Sequence, residues 1–161
     1  MKRVLFTLAL VAIILSACGG GSGTLSLSSY NEKTITIFNA ASEKMATDRE
    51  VLFEHKLSKE ENAKILEGLN TLLDDAIAKT NELKYPEDAK AFHESILDLY
   101  KFQKETIMPL LTKAEQLEPE SDEWYAVWRQ FDKETEKVDG MLQNMSKLQE
   151  ELAKKANATL R

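Results

Sequence analysis

The chain has 161 residues, 43% of them hydrophobic and 30% charged, with a formal charge of −6 and a single cysteine. That is enough for one domain with its own core. The acidic balance disfavours nucleic acid and anionic lipid surfaces as partners, and a lone cysteine excludes an intrachain disulfide.

The first element is not part of a fold. Met1-Lys2-Arg3 is a short positive segment, and Val4 to Leu15 is an apolar run interrupted only by Thr7. A bilayer span needs about 20 apolar residues, so this run is too short for one and suits a secretory signal. Leu15-Ser16-Ala17-Cys18 closes it. This tetrapeptide resembles the lipobox of bacterial lipoproteins. The resemblance implies that the Cys18 thiol receives a diacylglyceryl group, that residues 1–17 are cut away, and that the new amine is acylated. One acyl chain anchors weakly, whereas two or three hold firmly, because each buried methylene adds about 0.8 kcal/mol. The plainer reading is a free cysteine behind an ordinary signal. An odd cysteine in an exported chain calls for an explanation, and lipidation supplies one. Gly19, where inner-membrane lipoproteins of some bacteria carry aspartate, favours the outer membrane.

Residues 18–29 read as the lipidated cysteine and a flexible tether. Gly19 to Ser29 (GGGSGTLSLSS) is glycine- and serine-rich, with a root-mean-square reach of about 18 Å. Leu25 and Leu27 are expected to touch the domain or the membrane. Residues 30–161 then form the domain, rich in Ala, Glu, Lys and Leu at helical spacing, which predicts an all-α fold.

Four helices are expected. The first spans about 30–54, with Phe38, Ala41, Met45 and Leu52 on one stripe beside Thr34 and Asp48. The second spans about 59–84, opened by a possible Ser58/Glu61 capping box and faced by Ile65, Leu66, Leu69, Leu72, Leu73, Ala76, Ile77 and Leu83. Tyr85-Pro86-Glu87 breaks the chain before a third helix at about 87–117. Phe92, Ile96, Leu99, Phe102, Ile107, Leu110, Ala114 and Leu117 mark its face. Pro109 inside it predicts a kink, with the Glu105 carbonyl left unpaired. The fourth spans about 122–157, capped by Ser121 or Asp122. Trp124, Phe131, Val138, Met145 and Leu152 follow one another at heptad spacing, with Val127, Met141 and Leu148 between them. That is coiled-coil-like and predicts left-handed packing at about 20°. Gly140 falls on the solvent face.

Short connections make successive helices antiparallel neighbours, so the expected architecture is an up-down-up-down four-helix bundle. The tether enters at the base beside Lys84-Tyr85-Pro86. The turns near 54–58 and 117–121 lie at the far end. This layout, with a Tyr-Pro turn followed by a helix carrying Phe92 and Tyr100, resembles small four-helix surface lipoproteins of uncharacterised families. Those families imply no catalytic residues.

The chemistry-bearing motifs are missing. Di-iron bundles need Glu-x-x-His steps, but Leu52 and Lys90 stand three residues before His55 and His93. No Cys-x-x-Cys-His haem motif, nucleophile elbow or phosphate loop occurs. His55 and His93 read as surface residues, and Met45, Met141 and Met145 as core filler. No metal site, cofactor or catalytic residue is expected.

Two constellations remain. A polar layer, or a small-ligand pocket, is expected at Asp48, Arg49, Gln103, Thr106 and Trp128, with an Asp48–Arg49–Gln103 network fixing helix register. A partner-binding patch is expected at the far end, from Glu118, Glu120, Asp122, Trp124 and Tyr125, with Glu54, His55, Glu60, Glu61 and Glu123 nearby. Its plainer reading is acids placed by helix dipoles over core tryptophans. The function these features favour is a membrane-anchored envelope lipoprotein, a non-enzymatic binding or structural module. Its partners would be the lipid bilayer through acylated Cys18 and an envelope protein. The alternative is a carrier of a small ligand or haem within the bundle.

Overall fold

In the computed structural model, which describes residues 24–53 and 57–159, with side chains as far as Ala156, the chain folds as four helical rods. The expected signal, Cys18, and Glu54, His55 and Lys56 of the far end lie outside the described residues. The rods are α1 (Leu27–Phe53), α2 (Lys59–Glu82), a composite third rod, and α5 (Asp122–Thr159). The third rod begins with a 3-10 turn (Glu87–Ala89), continues as α3 (Lys90–Phe102), widens into a π turn (Gln103–Ile107) and ends as α4 (Met108–Gln116). Among the described residues there is no strand. The fold is an all-α four-helix bundle.

Each rod packs on two others. α1 lies against α2 and α5, and the third rod lies against the same two, so α1 and α3 face each other across the diagonal. The core runs the full length. Phe38, Met45 and Leu52 of α1 meet Leu66, Leu69 and Leu73 of α2, Phe92, Ile96 and Leu99 of α3, and Met108 and Leu111 of α4. All five heptad residues of α5 are buried, from Trp124 to Leu152. Each fully buried Leu or Met side chain contributes about 1.5–3 kcal/mol of apolar transfer, which is what a repeating stripe accumulates along a rod. Gly140 is exposed on the opposite face, as the heptad placed it.

The helix ends are chemically specified. Ser58 accepts from the Glu61 backbone N–H at 3.3 Å, while the Ser58 N–H donates to Glu61 Oε2 at 2.9 Å, closing the capping box of α2. Ser121, rather than Asp122, caps α5 by accepting from Trp124 N–H at 3.2 Å. At the base, Ala89 N–H closes on the Pro86 carbonyl at 2.8 Å.

Two boundaries differ from the sequence reading. α1 starts at Leu27, three residues earlier than Tyr30, so the last part of the expected 18–29 tether belongs to the bundle. Leu25 and Leu27 pack on the core, and Leu25 N–H donates to Lys84 O at 3.1 Å. Those apolar contacts outweigh the low helix propensity of the serines. The disturbance expected at Pro109 takes the form of the π turn. Met108 N–H reaches back five residues to Gln103 O, and Pro109 follows in the first turn of α4. A widened turn resets the register, so that proline sits where a missing N–H costs little.

Candidate functional site

The polar layer forms around Arg49, without the expected acid. Arg49 projects from α1 and its Nη2–H donates to Gln103 Oε1 at 3.2 Å, on the π turn across the diagonal. Asp48 does not join it. One residue further round the helix, its carboxylate is drawn outward to Lys44 one turn away, and the two form an ion pair. Thr106 is half-buried. Burial pulls the Arg49 guanidinium down to about 10, so it is still charged at neutral pH. Its Nε–H and the Trp128 Nε1–H are both shielded from solvent with no acceptor. A charge held by one neutral acceptor is a register-fixing device with little tolerance for losing that acceptor.

The best-formed depressions lie elsewhere. Both are shallow grooves between α2 and α4 that share Asn70, Thr112 and Gln116, and none of Asp48, Arg49, Gln103, Thr106 or Trp128 lines either. A nearby cross-helix bond joins Asn62 Nδ2–H to Glu115 Oε2 at 2.6 Å. Among the described residues no three His, Cys, Asp or Glu side chains converge as a metal site would need.

His93 is not a surface residue. It is 4% exposed, with the Tyr30 hydroxyl 3.0 Å from its Nδ1. The Tyr85 ring stacks on it with centroids 4.2 Å apart, and the Tyr30 ring lies at 6.1 Å. Burial pushes the Tyr30 phenol up to about 12 and the His93 imidazole below its usual value. Both groups are therefore held neutral, and they share one hydrogen bond between them. The signal was present in the sequence: His93, Leu97 and Tyr100 share a stripe beside Phe92, Ile96 and Leu99, and all six are buried.

At the far end the acids separate into those with structural duties and those without. Glu61 serves the cap, Glu60 pairs with Lys64 at 3.0 Å, and Glu118 approaches Lys59 at 3.8 Å. Asp122 and Glu123 stand in the first turn of α5, where the dipole favours them. Glu120 has no ion-pair partner among the described residues and sits at φ 65°. Trp124 is buried, as expected of a heptad position, but Tyr125 beside it is 44% exposed.

The sequence reading missed Phe53. At the end of α1, it is 40% exposed. Its ring meets Trp128 edge-on at 5.4 Å and Phe131 at 6.0 Å. Trp128 meets Trp124 at 5.7 Å, and Trp124 meets Tyr125 at 5.1 Å. The result is a continuous aromatic run across two helices, buried in the middle and open at both ends. Such edge-to-face pairs are worth about 0.5–1.5 kcal/mol each beyond their area. Phe53 and Tyr125 are the exposed large hydrophobic side chains among the described residues.

Compared with known proteins, the chain matches no family model, no curated protein sequence and no solved structure. Among the described residues no helix is long and apolar enough to cross a membrane.

Proposed function

We propose that this protein is a lipid-anchored envelope lipoprotein whose bundle is a non-enzymatic binding module, acting through the end opposite its anchor. The anchor is Cys18, and the outer membrane is the favoured location. The observation that carries the reading is the aromatic run from Phe53 to Tyr125. Exposed aromatic side chains beside a well-packed core match the composition of protein-protein contact sites. Their position supports it too. Residue 25 is tied to Lys84 at the base, while Phe53 and the Glu118–Ser121 turn stand at the other end of the rods. A tether leaving the base leaves that end free to meet a partner.

The carrier reading has less support. Within the polar layer Arg49 and Gln103 bond to each other, and the best-formed grooves are shallow, lie between α2 and α4, and are lined by none of the layer's residues.

The test is site-specific photocrosslinking in intact bacterial cells. A crosslinker at Tyr125 should capture a defined envelope protein, and one at Lys84 should not. Equal capture from both positions, or none from Tyr125, would refute the reading.

A further inference from the structure

We infer that the partner presents a cationic segment, with Lys or Arg side chains that lie over the Phe53 and Tyr125 rings and pair with Glu120. The inference rests on the binding-module reading and specifies its occupant.

Charge complementarity selects the occupant. Residues 118–125 (EPESDEWY) contain four carboxylates and no cation, and Lys59 approaches one of the four, Glu118, at 3.8 Å. They run directly into the exposed end of the aromatic run, because Tyr125 N–H donates to Ser121 O at 3.0 Å and seats the ring one turn above the loop. An aromatic face with a negative rim attracts a cation twice, through the ring quadrupole and through the carboxylates. A guanidinium or ammonium also lies on such rings through its apolar stem. A second copy of the chain is disfavoured, since each copy is net acidic and carries the same acidic rim.

Glu120 allows the carboxylate to be tested apart from folding. Glu118 to Ser121 closes as a turn, with Ser121 N–H donating to Glu118 O at 3.2 Å. Pro119 is second and Glu120 third, at φ 65°. That pattern belongs to a type II turn, whose third position suits glycine. A glutamate there gives up backbone comfort and presents an acid with no ion-pair partner among the described residues. Replacing it with glycine should therefore relax the turn while removing the charge.

The experiment uses the chain from Cys18 onward without lipid. The probe is an end-blocked peptide of alternating lysine and glycine, with matched glutamate–glycine and serine–glycine peptides as controls. Binding is followed by amide NMR shifts in residues 118–128. The lysine peptide should shift them at low salt and lose the effect at high salt. Glu120→Gly, Glu120→Gln, Phe53→Ser and Tyr125→Ser should each weaken binding by about threefold or more. Glu120→Gly should melt no lower than the parent, which separates lost binding from lost fold. Equal binding of the control peptides, or lysine-peptide binding indifferent to Phe53 and Tyr125, would overturn the inference. In cells, a partner captured at Tyr125 through a segment lacking Lys and Arg, or a captured second copy, would overturn it and leave a binding surface standing. No capture at Tyr125 would remove both.

Discussion

The Tyr30 hydroxyl and His93 Nδ1 share a hydrogen bond at 3.0 Å, joining α1 to α3 across the diagonal of the bundle. What favours the neutral imidazole here is burial, since charging the ring would cost its hydration. Burial holds the His93 pKa below its unfolded value, with Glu94 acting weakly the other way. The folded state therefore binds fewer protons than the unfolded state as pH falls past the free-histidine value. Stability from this site is fully present above about pH 6.5 and declines below it. The melting temperature should fall between about pH 7 and pH 5, and His93→Gln should flatten that part of the profile. A parent profile as flat as the variant's would show that the ring titrates without penalty.

The Arg49–Gln103 bond predicts an asymmetry. Gln103→Leu strands a half-buried guanidinium and should cost about 1–3 kcal/mol in urea unfolding. Arg49→Met removes the charge itself and should cost under about 1 kcal/mol. The double variant should recover much of what Gln103→Leu lost. Equal losses from the two single changes would mean that the bond itself, rather than the stranded charge, carries the energy.

Gly68 and Gly140 lie inside exposed helix surfaces, and a Cβ built on either meets nothing within 4 Å. Each Gly→Ala change should stabilise the bundle by about 0.5–1 kcal/mol, additively. The two sit on α2 and α5 and report on each rod separately. Thermal melts are sufficient to measure this.

The proposed anchor predicts fractionation. Cys18→Ala should move the protein from the membrane fraction to the soluble one and abolish labelling by a fatty-acid analogue. Labelling that survives the substitution would place the anchor elsewhere.

Strong periodicity made most of the architecture readable. The heptad from Trp124 to Leu152 repeats over five positions, and a pattern that long has one way to bury itself. The Ser58/Glu61 box was equally legible, because its chemistry is local. What escaped the sequence was set by tertiary contact. His93 looks polar and hence exposed, until Tyr30 and Tyr85 arrive from elsewhere in the chain to satisfy and cover it. Asp48 and Arg49 are adjacent, and only the rotation of α1 decides which turns inward and which meets Lys44. Phe53 carries no sequence signal of its own, and its 40% exposure beside Trp128 is seen only in the fold. In the partner patch, Glu118, Glu120, Asp122, Trp124 and Tyr125 were legible as a group. Which acids are spoken for, and which ring is open, were not.

The bond from Leu25 N–H to Lys84 O has a mechanical meaning. A pull on the chain ahead of residue 24 does not act on α1 alone. It loads the α2–α3 turn through Leu25, then α3 through Tyr30 and His93. Force is thus divided between two rods that run the same way, and peeling the first turn of α1 requires breaking both fastenings. The bundle is gripped at its base by a two-point hitch, which resists unravelling from the leading end of α1 under load.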